Sequence, residues 1–439
     1  MALTMKASCS QIVRCLQSVA KLGTMRSISE HFDAVMAYAS PVPTPGSPET
    51  TPVDQGLIGT VLAADVTATL PVPPWDNSAM DGFILHRADL QDTPFTLPVS
   101  GDVAAGDTPQ DLPAGTALRI MTGATVPAEG DLLVVPVEDT NIKPGPQELP
   151  DTVTINRTTE RAHIRRAGEN VQPGDIVAHE GTRVDAAVLA SLISAGVTDV
   201  TTHRPVLVGL VSSGDELVDS NELQPGQLPN SNGPMLEALV CATCPGAVVT
   251  HMHCADSPEE VRRTFKQLAA NHELIITSGG VSAGAYDAVR AVLTENAQQN
   301  ESDTAWFEHV AQKPGAPQGL STFQDRPVFS LPGNPVAAFM SFHLYLAPLL
   351  RANAGLPAAP NPWARPQLQA VAADDFPDPR GRTGLVPVSL DYSSYPPKAV
   401  PFARRLGSHL VTSLAGTEGF AAYDEPVVAG DNVNVYYYF

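Results

Sequence analysis

Two short apolar runs in the second half of the chain each end in a glycine-rich turn that leads into a helix-like segment. The first run spans 274–284 and the second spans 328–335. An α/β sheet forms anion sites in this way, because glycines let the backbone approach a phosphate and the first helical N–H groups face its charge. Two such turns on neighbouring strands predict a ligand that carries a phosphate or another oxyanion.

The sequence around these runs predicts a doubly wound domain with a mostly parallel sheet, because strand-like and helix-like segments alternate from Arg204 onward. The expected strands cover 205–212, 247–253, 273–277 and 327–330. The expected helices cover 234–243, 287–293 and 335–354, and another begins at Ser257-Pro258, where a cap precedes a proline. One earlier helix is expected at 186–195.

The remaining segments are typical of β structure. From 71 to 156 the chain is rich in Pro, Gly, Val and Thr, and short alternating runs occur at 117–121 and 131–137. This pattern predicts a small β domain without a long helix. After Pro360 helix signals disappear, which predicts a second small β domain at the C-terminus. The fold class is therefore multidomain, α/β plus β.

The charge balance limits the partners of this chain. Its 439 residues include 26 basic and 47 acidic side chains, so the formal net charge is −21. Such a charge argues against non-specific binding to nucleic acid and against docking on an anionic membrane. An anion site in this chain needs lysines, backbone amides or a divalent metal. The longest apolar run, Val336–Leu350, contains His343 and predicts a buried helix rather than a membrane span.

The five cysteines form no secreted disulfide framework, and their odd number fits reduced thiols in the cytoplasm. Residues 1–29 contain no acidic residue, which is compatible with an organelle presequence or with a start codon assigned too early. We favour the second interpretation, with residues 1–24 as a non-native or disordered extension. The segment from His31 to Tyr38 already has the pattern of a first domain helix.

Two acidic loops have both a functional and a structural interpretation. The loop 73–82 contains Asp76 and Asp81 and suits a hard cation or a polar ligand, although for this loop taken alone we favour an Asx-rich turn. Asp215 and Glu216 follow the first strand of the α/β domain, where they either hold Mg²⁺ against a phosphate or form a solvated turn. Thr122 ends a third turn and offers a hydroxyl to a ligand.

The cysteines at 241 and 244, with His251, His253 and Cys254, superficially resemble a zinc site. The first two belong to a helix end, the others alternate along a predicted strand, and the spacing matches no standard zinc finger. We therefore favour a core interpretation. By contrast, Lys313-Pro-Gly315 lies between the two glycine-rich turns, and the three segments together indicate a nucleotide or pterin phosphate pocket with a lysine for a second anion.

These segments, in this order, resemble the molybdopterin molybdotransferase family, which also includes the C-terminal domain of gephyrin. The resemblance covers essentially everything after Met25. The matching segments are Asp76-Asn-Ser-Ala-Met-Asp-Gly82, Arg119-Ile-Met-Thr-Gly123, Arg166-Ala-Gly-Glu169, Ser213-Gly-Asp-Glu-Leu217, Ser278-Gly-Gly-Val-Ser-Ala-Gly284, Lys313-Pro-Gly315, Leu331-Pro-Gly-Asn-Pro335 and Gly407-Ser-His409.

The resemblance implies an elongated homodimer of four-domain subunits. A linking and dimerisation domain would comprise 25–70 and 157–204. The other domains would be a β domain (71–156), a molybdopterin-binding α/β domain (205–354) and a C-terminal β-barrel-like domain (355–439). The implied reaction takes adenylylated molybdopterin and molybdate, cleaves the adenylate, and releases molybdenum cofactor and AMP with Mg²⁺. A contact with molybdopterin adenylyltransferase is a further expectation.

The resemblance also assigns roles to individual residues. Asp81, Glu216 and Asp287 would bind the metal and orient the phosphoanhydride, with Asp256 as a further acidic position. Thr122 would come from the partner subunit's β domain and close the cleft. The phosphates and pterin would be held by Ser278, Gly279, Gly280, Ser282, Gly284, Gly333, Asn334 and Pro335. The molybdate pocket would contain Lys313, Pro317, Arg382 and Ser408.

Four positions depart from the family pattern. Ala316 and His309 stand where lysines are usual, and Asn170 and Asn230 replace acidic residues. Loss of a lysine is expected to weaken oxyanion binding against a charge of −21. The alternatives are a weakened paralogue that binds pterin, a partner or another oxyanion such as tungstate, and a molybdopterin adenylyltransferase-like enzyme. The three carboxylates favour catalysis, and the extra β domains with Lys313 argue against adenylylation.

Overall fold

The computed structural model describes residues 25–39, 49–158, 160–219, 223–281, 287–402 and 409–438. The extension expected at 1–24 therefore lies outside the described residues. The chain divides into two compact units, a smaller one made of 50–58 and 62–202 and a larger one that contains 59–61 and the chain from His203 onward. The first described helix, α1 (Ile28–Met36), belongs to the larger unit.

The smaller unit consists mainly of short strands. They are β1 (Glu49–Pro52), β2 (Val66–Thr67), β3 (Asn77–Ser78), β4 (Gly82–His86), β5 (Phe95–Val103), β6 (Ala117–Ile120), β7 (Leu132–Pro136), β8 (Thr152–Ile155), β9 (Ile164–Arg165), β10 (Ile176–Ala178) and β11 (Asp199–Thr202). Five form a sheet in the order β7-β4-β6-β5-β8, and the others pair as β1 with β11, β2 with β10 and β3 with β9. The runs expected at 117–121 and 131–137 are confirmed as β6 and β7.

One α-helix, α2 (Ala186–Ser194), lies in the described part of the smaller unit, besides 3₁₀ turns at Gln55–Leu57, Arg87–Asp89 and Val137–Asp139. The Asp185 carboxylate accepts hydrogen bonds from the N–H groups of Ala187 and Val188, which satisfies two free donors of the first turn. Gly196 follows the helix with a φ of +73°, a conformation that favours glycine. The expected helix at 186–195 is confirmed.

The larger unit contains the α/β sheet. Its strands are β12 (Leu207–Ser213), β13 (Leu217–Val218), β14 (Leu228–Pro229), β15 (Val248–Cys254), β16 (Leu274–Ser278), β17 (Ala305–His309), β18 (Gln312–Lys313), β19 (Pro317–Phe323) and β20 (Arg326–Leu331). Its helices are α3 (Asn232–Thr243), α4 (Pro258–Asn271), α5 (Ala288–Gln299), α6 (Pro335–Ser341) and α7 (Ala347–Asn353). Six strands form one sheet in the order β15-β12-β16-β20-β19-β17.

The first four strands in this order run parallel, whereas β19 pairs antiparallel with both β20 and β17. The doubly wound, mostly parallel sheet is thus confirmed. Sequence analysis assigned no strands to β17 and β19. Gly319 in β19 and the Pro-Gly segment before it are turn signals, and sheet pairing overrides them here.

The expected helix 335–354 is interrupted, which corrects the prediction of one continuous helix. Residues Phe342–Leu346 form a π-helical turn between α6 and α7. Pro348 has no N–H to return to the carbonyl of Leu344, so a regular α-helical bond is missing at this point. Most of the run is buried and packs into the core of the larger unit with α1.

The C-terminal strands close into a barrel within the larger unit. They are β21 (Gln367–Ala372), β22 (Thr383–Asp391), β23 (Lys398–Pro401), β24 (Gly419–Tyr423) and β25 (Asn432–Tyr437), with a 3₁₀ turn at Val411–Leu414. The sheet runs β22-β23-β21-β25-β24 and returns to β22, while β18 adds to its edge. The second β domain expected after Pro360 is confirmed. None of the described helices is both long and apolar enough to cross a bilayer.

Two histidines are buried in the core of the larger unit without charge. The ring of His31 lies 4.7 Å from Tyr345 and 5.1 Å from Trp306, and that of His343 stacks on Tyr438 at 4.3 Å. Burial, followed by the positive charge of a nearby arginine, lowers the pKa of each histidine to about 3. The folded chain therefore excludes a proton that the unfolded chain accepts.

This pKa depression predicts a loss of stability in mild acid. The contribution is fully present above the unfolded histidine pKa of about 6.5 and falls as the pH drops toward the folded value. At pH 5.5 each histidine costs about 1.4 kcal/mol of unfolding free energy. Urea unfolding at pH 7.5 and 5.5 measures this loss. His343→Phe should remove about half of this loss of unfolding free energy. His309→Phe, at the exposed end of β17, is the control and should leave the loss unchanged. An equal pH dependence of the unfolding free energy in both variants would contradict the role of His343.

Candidate functional site

The carboxyl ends of three neighbouring parallel strands meet at one edge of the α/β sheet. Ser278 at the end of β16 pairs in register with Ser212 of β12 and with Leu331 of β20. The turns that follow these strands are therefore adjacent, and the Gly279 N–H donates to the Leu331 carbonyl at 3.0 Å. Open α/β sheets bind ligands at this edge.

Glycine is required in the turn after β16. Gly279 and Gly280 have φ values of +94° and +78°, which disfavour other residues. A Cβ at Gly280 would also lie 2.4 Å from the Cβ of Val289, so the turn packs directly against α5. A Cβ at Gly333 would lie 3.6 Å from the Cα of Gly279. The two glycine-rich turns thus touch, and their backbones are open to a ligand.

Asn232, at the start of α3, joins these two turns. Its Nδ2 donates to the Oγ of Ser278 and to the carbonyl of Gly333, both at 2.7 Å. The residue is only 7% exposed, and its Oδ1, like the Nδ2 of the buried Asn230, has no hydrogen-bond partner among the described residues. Sequence analysis noted this segment only as a departure at Asn230. A polar residue at a helix start is common, so no local signal indicates a link between distant turns.

Replacement of Asn232 by alanine should destabilise the site without changing the fold. The Ser278 hydroxyl and the Gly333 carbonyl lose a buried donor, which should cost about 2 kcal/mol of unfolding free energy. Urea unfolding measures the loss, and hydrogen exchange at the Gly279 amide should accelerate because the two turns separate. Ser231→Ala is the matched control, since the exposed Ser231 side chain makes no capping hydrogen bond. Equal stability of the two variants would show that Asn232 does not hold the turns.

Several carboxylates border the same edge. Asp256 accepts a hydrogen bond from the Ser213 Oγ at 2.6 Å, and Asp215 accepts one from the Asp256 N–H at 3.1 Å. Asp287 caps α5 by accepting from the Arg290 N–H at 3.1 Å. Glu216 is exposed, and its carboxylate folds back onto the preceding Gly214. A Cβ added at Gly214 would lie only 2.7 Å from the Glu216 Oε2.

These carboxylates do not form a complete metal cage. Among the described residues no cluster of three or more His, Cys, Asp or Glu side chains is arranged to hold a metal. The donors nevertheless fit Mg²⁺, which in phosphate sites is held by one or two carboxylates and completes its coordination with phosphate oxygens and water. The two histidines that superficially resembled zinc ligands in the sequence make hydrogen bonds to the protein. His251 is hydrogen-bonded to the Ser212 Oγ at 2.9 Å, and His253 is hydrogen-bonded to the Gly214 carbonyl at 3.1 Å.

A cavity of about 390 Å³ opens beside the second glycine-rich turn. Five of the residues assigned by resemblance line it, namely Lys313, Pro317, Gly333, Asn334 and Arg382. Asn334 holds the N-cap position of α6, as expected, but its side chain makes no capping hydrogen bond. The larger unit therefore brings the two glycine-rich turns and the expected oxyanion residues together around Gly333. Ser282, Gly284 and Ser408 lie outside the described residues.

Positive charges gather at this cavity. The Nζ of Lys313 donates to the carbonyl of Asp378 at 2.7 Å, which leaves two of its three N–H groups available. Burial is the main cause that lowers the pKa of Lys313. The positive charges of Arg380 and, to a smaller degree, Arg382 lower this pKa further, whereas the negative charge of Asp378 raises it. The cations come from two separate loops, which no local sequence pattern links.

A buried amide network fixes the loop from Lys313 to Pro317. Gln312 donates to the Pro314 carbonyl at 3.1 Å, and Gln318 donates to the Gly315 carbonyl at 2.7 Å. Both amides also donate to the Ser341 Oγ, and the Tyr345 hydroxyl donates to Gln312. Each buried polar group thus has a partner, which makes the loop rigid. Sequence analysis missed this network, because two glutamines in a Pro-Gly segment carry no recognisable pattern.

The other assigned residues lie in the smaller unit. The Asp81 Oδ1 accepts a hydrogen bond from the Thr122 N–H at 2.7 Å, and this bond lowers the pKa of Asp81. Both side chains are exposed, so each is free to meet a ligand. In the same unit the Asp76 carboxylate accepts from the Ala167 N–H at 2.7 Å and from Arg166, which joins two of the matching segments. Glu216, Asp287 and Lys313 belong to the larger unit.

The fold defines an α/β protein in which two candidate anion-binding regions lie side by side at one edge of the sheet. Three family models match the chain in order. The MoeA N-terminal region (domain I and II) matches residues 26–196, the model described as "Probable molybdopterin binding domain" matches 209–352, and the MoeA C-terminal region (domain IV) matches 369–438.

Curated relatives are similar along most of the chain. Molybdopterin molybdenumtransferase 2 of Mycobacterium tuberculosis is 36% identical over 427 residues, which cover 94% of this chain and 99% of the relative. Molybdopterin molybdenumtransferase of Haemophilus influenzae is 31% identical and covers 85% of this chain and 90% of its own length. The molybdopterin biosynthesis MoeA protein of Pyrococcus horikoshii has a similar fold, with a TM-score of 0.75 at 21% identity over 94% of this chain and all of that one. The chain belongs to the molybdopterin molybdenumtransferase family.

Proposed function

We propose that this protein inserts molybdate into adenylylated molybdopterin, cleaves the adenylate, and releases molybdenum cofactor and AMP. The observation that carries the proposal is the adjacency of the two anion-binding regions at Gly333. That residue faces the glycine turn on one side and lines the cationic cavity on the other. A reaction that joins a phosphate-bearing pterin to an oxyanion needs this arrangement. The names of the curated relatives support the same reaction.

In this proposal the backbone of the two turns holds the substrate phosphates. Ser278, Gly279 and Gly280 end one strand and Gly333 follows the next, so their N–H groups approach an anion without a side chain between them. Lys313 and Arg382 hold molybdate in the cavity, with Pro317 as an apolar wall. The residues Ser282, Gly284, Asn334, Pro335 and Ser408 are assigned to the same two regions by resemblance. Fixed donors of this kind lower a barrier by orientation and electrostatics.

We assign Asp81, Glu216 and Asp287 to Mg²⁺ binding. The ion would neutralise phosphate charge, as hard divalent cations do in phosphoryl chemistry. Asp81 suits this role because its hydrogen bond from the Thr122 N–H keeps the carboxylate ionised and fixed in orientation. Glu216 and Asp287 follow two different strands of the same sheet edge, so they can act on one substrate together.

The reaction itself is tested by AMP release. Purified protein is incubated with adenylylated molybdopterin, molybdate and Mg²⁺, and AMP is followed by chromatography. We expect rapid AMP release only when all three are present. Release without molybdate would indicate a simple hydrolase, and no release at all would exclude the transferase and leave the pterin-binding or adenylyltransferase-like alternative.

Asp81→Asn should strongly reduce the activity and leave the fold intact. The asparagine oxygen still accepts from the Thr122 N–H, but the negative charge that holds the metal is gone. We expect the rate of AMP release to fall about 100-fold, in the range seen when one electrostatic group is removed from an active site. Asp107→Asn is the matched control, because Asp107 accepts from the Ala104 N–H at 2.8 Å in an exposed turn of the same unit. Equal activity of both variants would overturn the assignment.

We propose that the protein is a homodimer that uses the apolar surface of α2. This helix contains no charged residue, and Leu192 is its only buried side chain. Ile193 is 58% exposed, and two half-exposed apolar side chains lie nearby. Leu70 contacts Gly196 at the end of α2, and Ile176 belongs to β10, which packs on α2. An apolar surface of this kind marks an interface between proteins. The helix lies in 157–204, which we assign to the linking domain.

Ile193→Lys should dissociate the dimer, since it places a charge in an apolar interface. Analytical ultracentrifugation at micromolar protein should show a monomer, while circular dichroism stays unchanged because the side chain is exposed. Ser191→Lys introduces the same charge nearly opposite on the helix and should remain a dimer. A wild-type monomer, or dimers in both variants, would contradict this interface.

We place the protein in the cytoplasm. Among the described cysteines, Cys241 and Cys254 are free thiols, and Cys241 is exposed, as suits a reducing compartment. Because adenylylated molybdopterin is the product of the adenylyltransferase, we further propose a transfer contact with that enzyme.

A further inference from the structure

The cavity beside Lys313 is larger and more apolar than a tetrahedral oxyanion requires. Its volume of about 390 Å³ falls in the range of roughly 300–1,000 Å³ that pockets for whole organic ligands occupy. Among the described residues that line it, Lys313 and Arg382 are the charged ones. Most of the other lining side chains are apolar, and they include Val281, Pro314, Pro317, Pro332, Val336 and Phe402. Such a lining fits a ligand that is mainly organic and carries one anionic group.

The two cations reach the cavity from the first residues of β22 and from its partner strand. β22 pairs in parallel with β18, and Lys313 lies opposite Gly384. The Thr383 N–H donates to the Ala311 carbonyl at 3.0 Å, and Arg382 directly precedes Thr383. Both cations therefore belong to the same short stretch of the strand pair. An oxyanion that contacts Lys313 and Arg382 is held at this end of the cavity.

Phe402 lines the cavity farther along the same strand. Its N–H donates to the Pro387 carbonyl at 2.9 Å, which continues the pairing of β22 with β23 beyond Pro401. Because Pro387 lies three residues beyond Gly384, the backbone at Phe402 is about 10 Å along the strand from the backbone at Lys313. The cavity therefore has a cationic end and a second end, formed by Phe402, that a tetrahedral oxyanion is too small to reach from the first.

The ring of Phe402 is held in place by the barrel. The side chain is half-buried and packs against the hydrophobic core of the C-terminal strands. Among the described residues that line the cavity, Phe402 is the aromatic one. A flat heterocycle that stacks on a fixed aromatic ring gains affinity at little cost in side-chain ordering. The second end of the cavity is therefore suited to a planar ring.

We propose, on the basis of the function proposed above, that the cavity holds the pterin ring of the substrate together with the oxyanion, and that Phe402 stacks on this ring. The proposed reaction joins the oxyanion to the pterin, so both have to lie in one cavity. Adenine is also a flat heterocycle, but it leaves with AMP and is not joined to the oxyanion. Phe402 is thus a specificity residue for the pterin and makes no contact with the oxyanion.

The experiment measures the two ends of the cavity separately, in the full-length protein. Unsubstituted pterin, which carries no charge at neutral pH, is followed by the quenching of its fluorescence, and molybdate by isothermal titration calorimetry. Phe402→Leu keeps an apolar side chain but removes the aromatic face, so the Kd of pterin should rise about tenfold and that of molybdate should stay within about twofold. Lys313→Gln should do the reverse, because it removes a charge from the other end.

Two further variants serve as controls. Phe402→Tyr retains the aromatic ring and should keep the Kd of pterin within about twofold of the wild type. Tyr395→Leu removes an aromatic ring from the turn between β22 and β23, where the side chain is 98% exposed, and should change neither Kd. AMP is titrated into the wild type and into Phe402→Leu, and its Kd should be the same in both.

The inference would be overturned if the wild type did not bind pterin or if Phe402→Leu bound it as tightly. Equal weakening of pterin and molybdate in Phe402→Leu would also overturn it, because a structural role would then explain the effect. Loss of AMP affinity instead of pterin affinity would assign this end of the cavity to adenine. In each case molybdate-dependent AMP release by the wild type would leave the proposed function standing. If the wild type binds neither pterin nor molybdate and releases no AMP, both proposals fail together.

Discussion

The parallel register of β16 between β12 and β20 is the constraint on which the rest of the site depends. It brings Ser212, Ser278 and Leu331 to one level, so that the turns after all three strands open at the same edge. Asn232 then joins two of these turns through paired hydrogen bonds. The cation-rich cavity adjoins the same turns through Gly333. A shift of this register would separate the phosphate region from the oxyanion region.

Sequence reasoning located the elements whose signals are local. The Ser257 cap, with Pro258 at the first helical position, and the glycine-rich turn at 279–280 are each encoded in a few neighbouring residues. It failed where long-range packing decides. The π-helical turn before Pro348 and the antiparallel strands β17 and β19 arise from tertiary context that no local window contains.

The same distinction holds within the site. The resemblance assigned Lys313 and Arg382, and the structure places both on one cavity. Asn232 carries no comparable signal, because it acts through residues at least 46 positions away. In the smaller unit the Asp81–Thr122 pair is fixed by its own hydrogen bond, and its role as a metal and substrate contact stays a prediction. Against a net charge of −21, the local cations make anion binding feasible.

We propose that one edge of the α/β sheet couples phosphate cleavage to oxyanion transfer. The most direct test measures AMP and pterin-bound molybdenum in the same reaction, by chromatography and by mass spectrometry of the isolated pterin. We expect equimolar formation of both products at every time point. AMP formed without molybdenum in the pterin would contradict it, because cleavage and transfer would then be separate events.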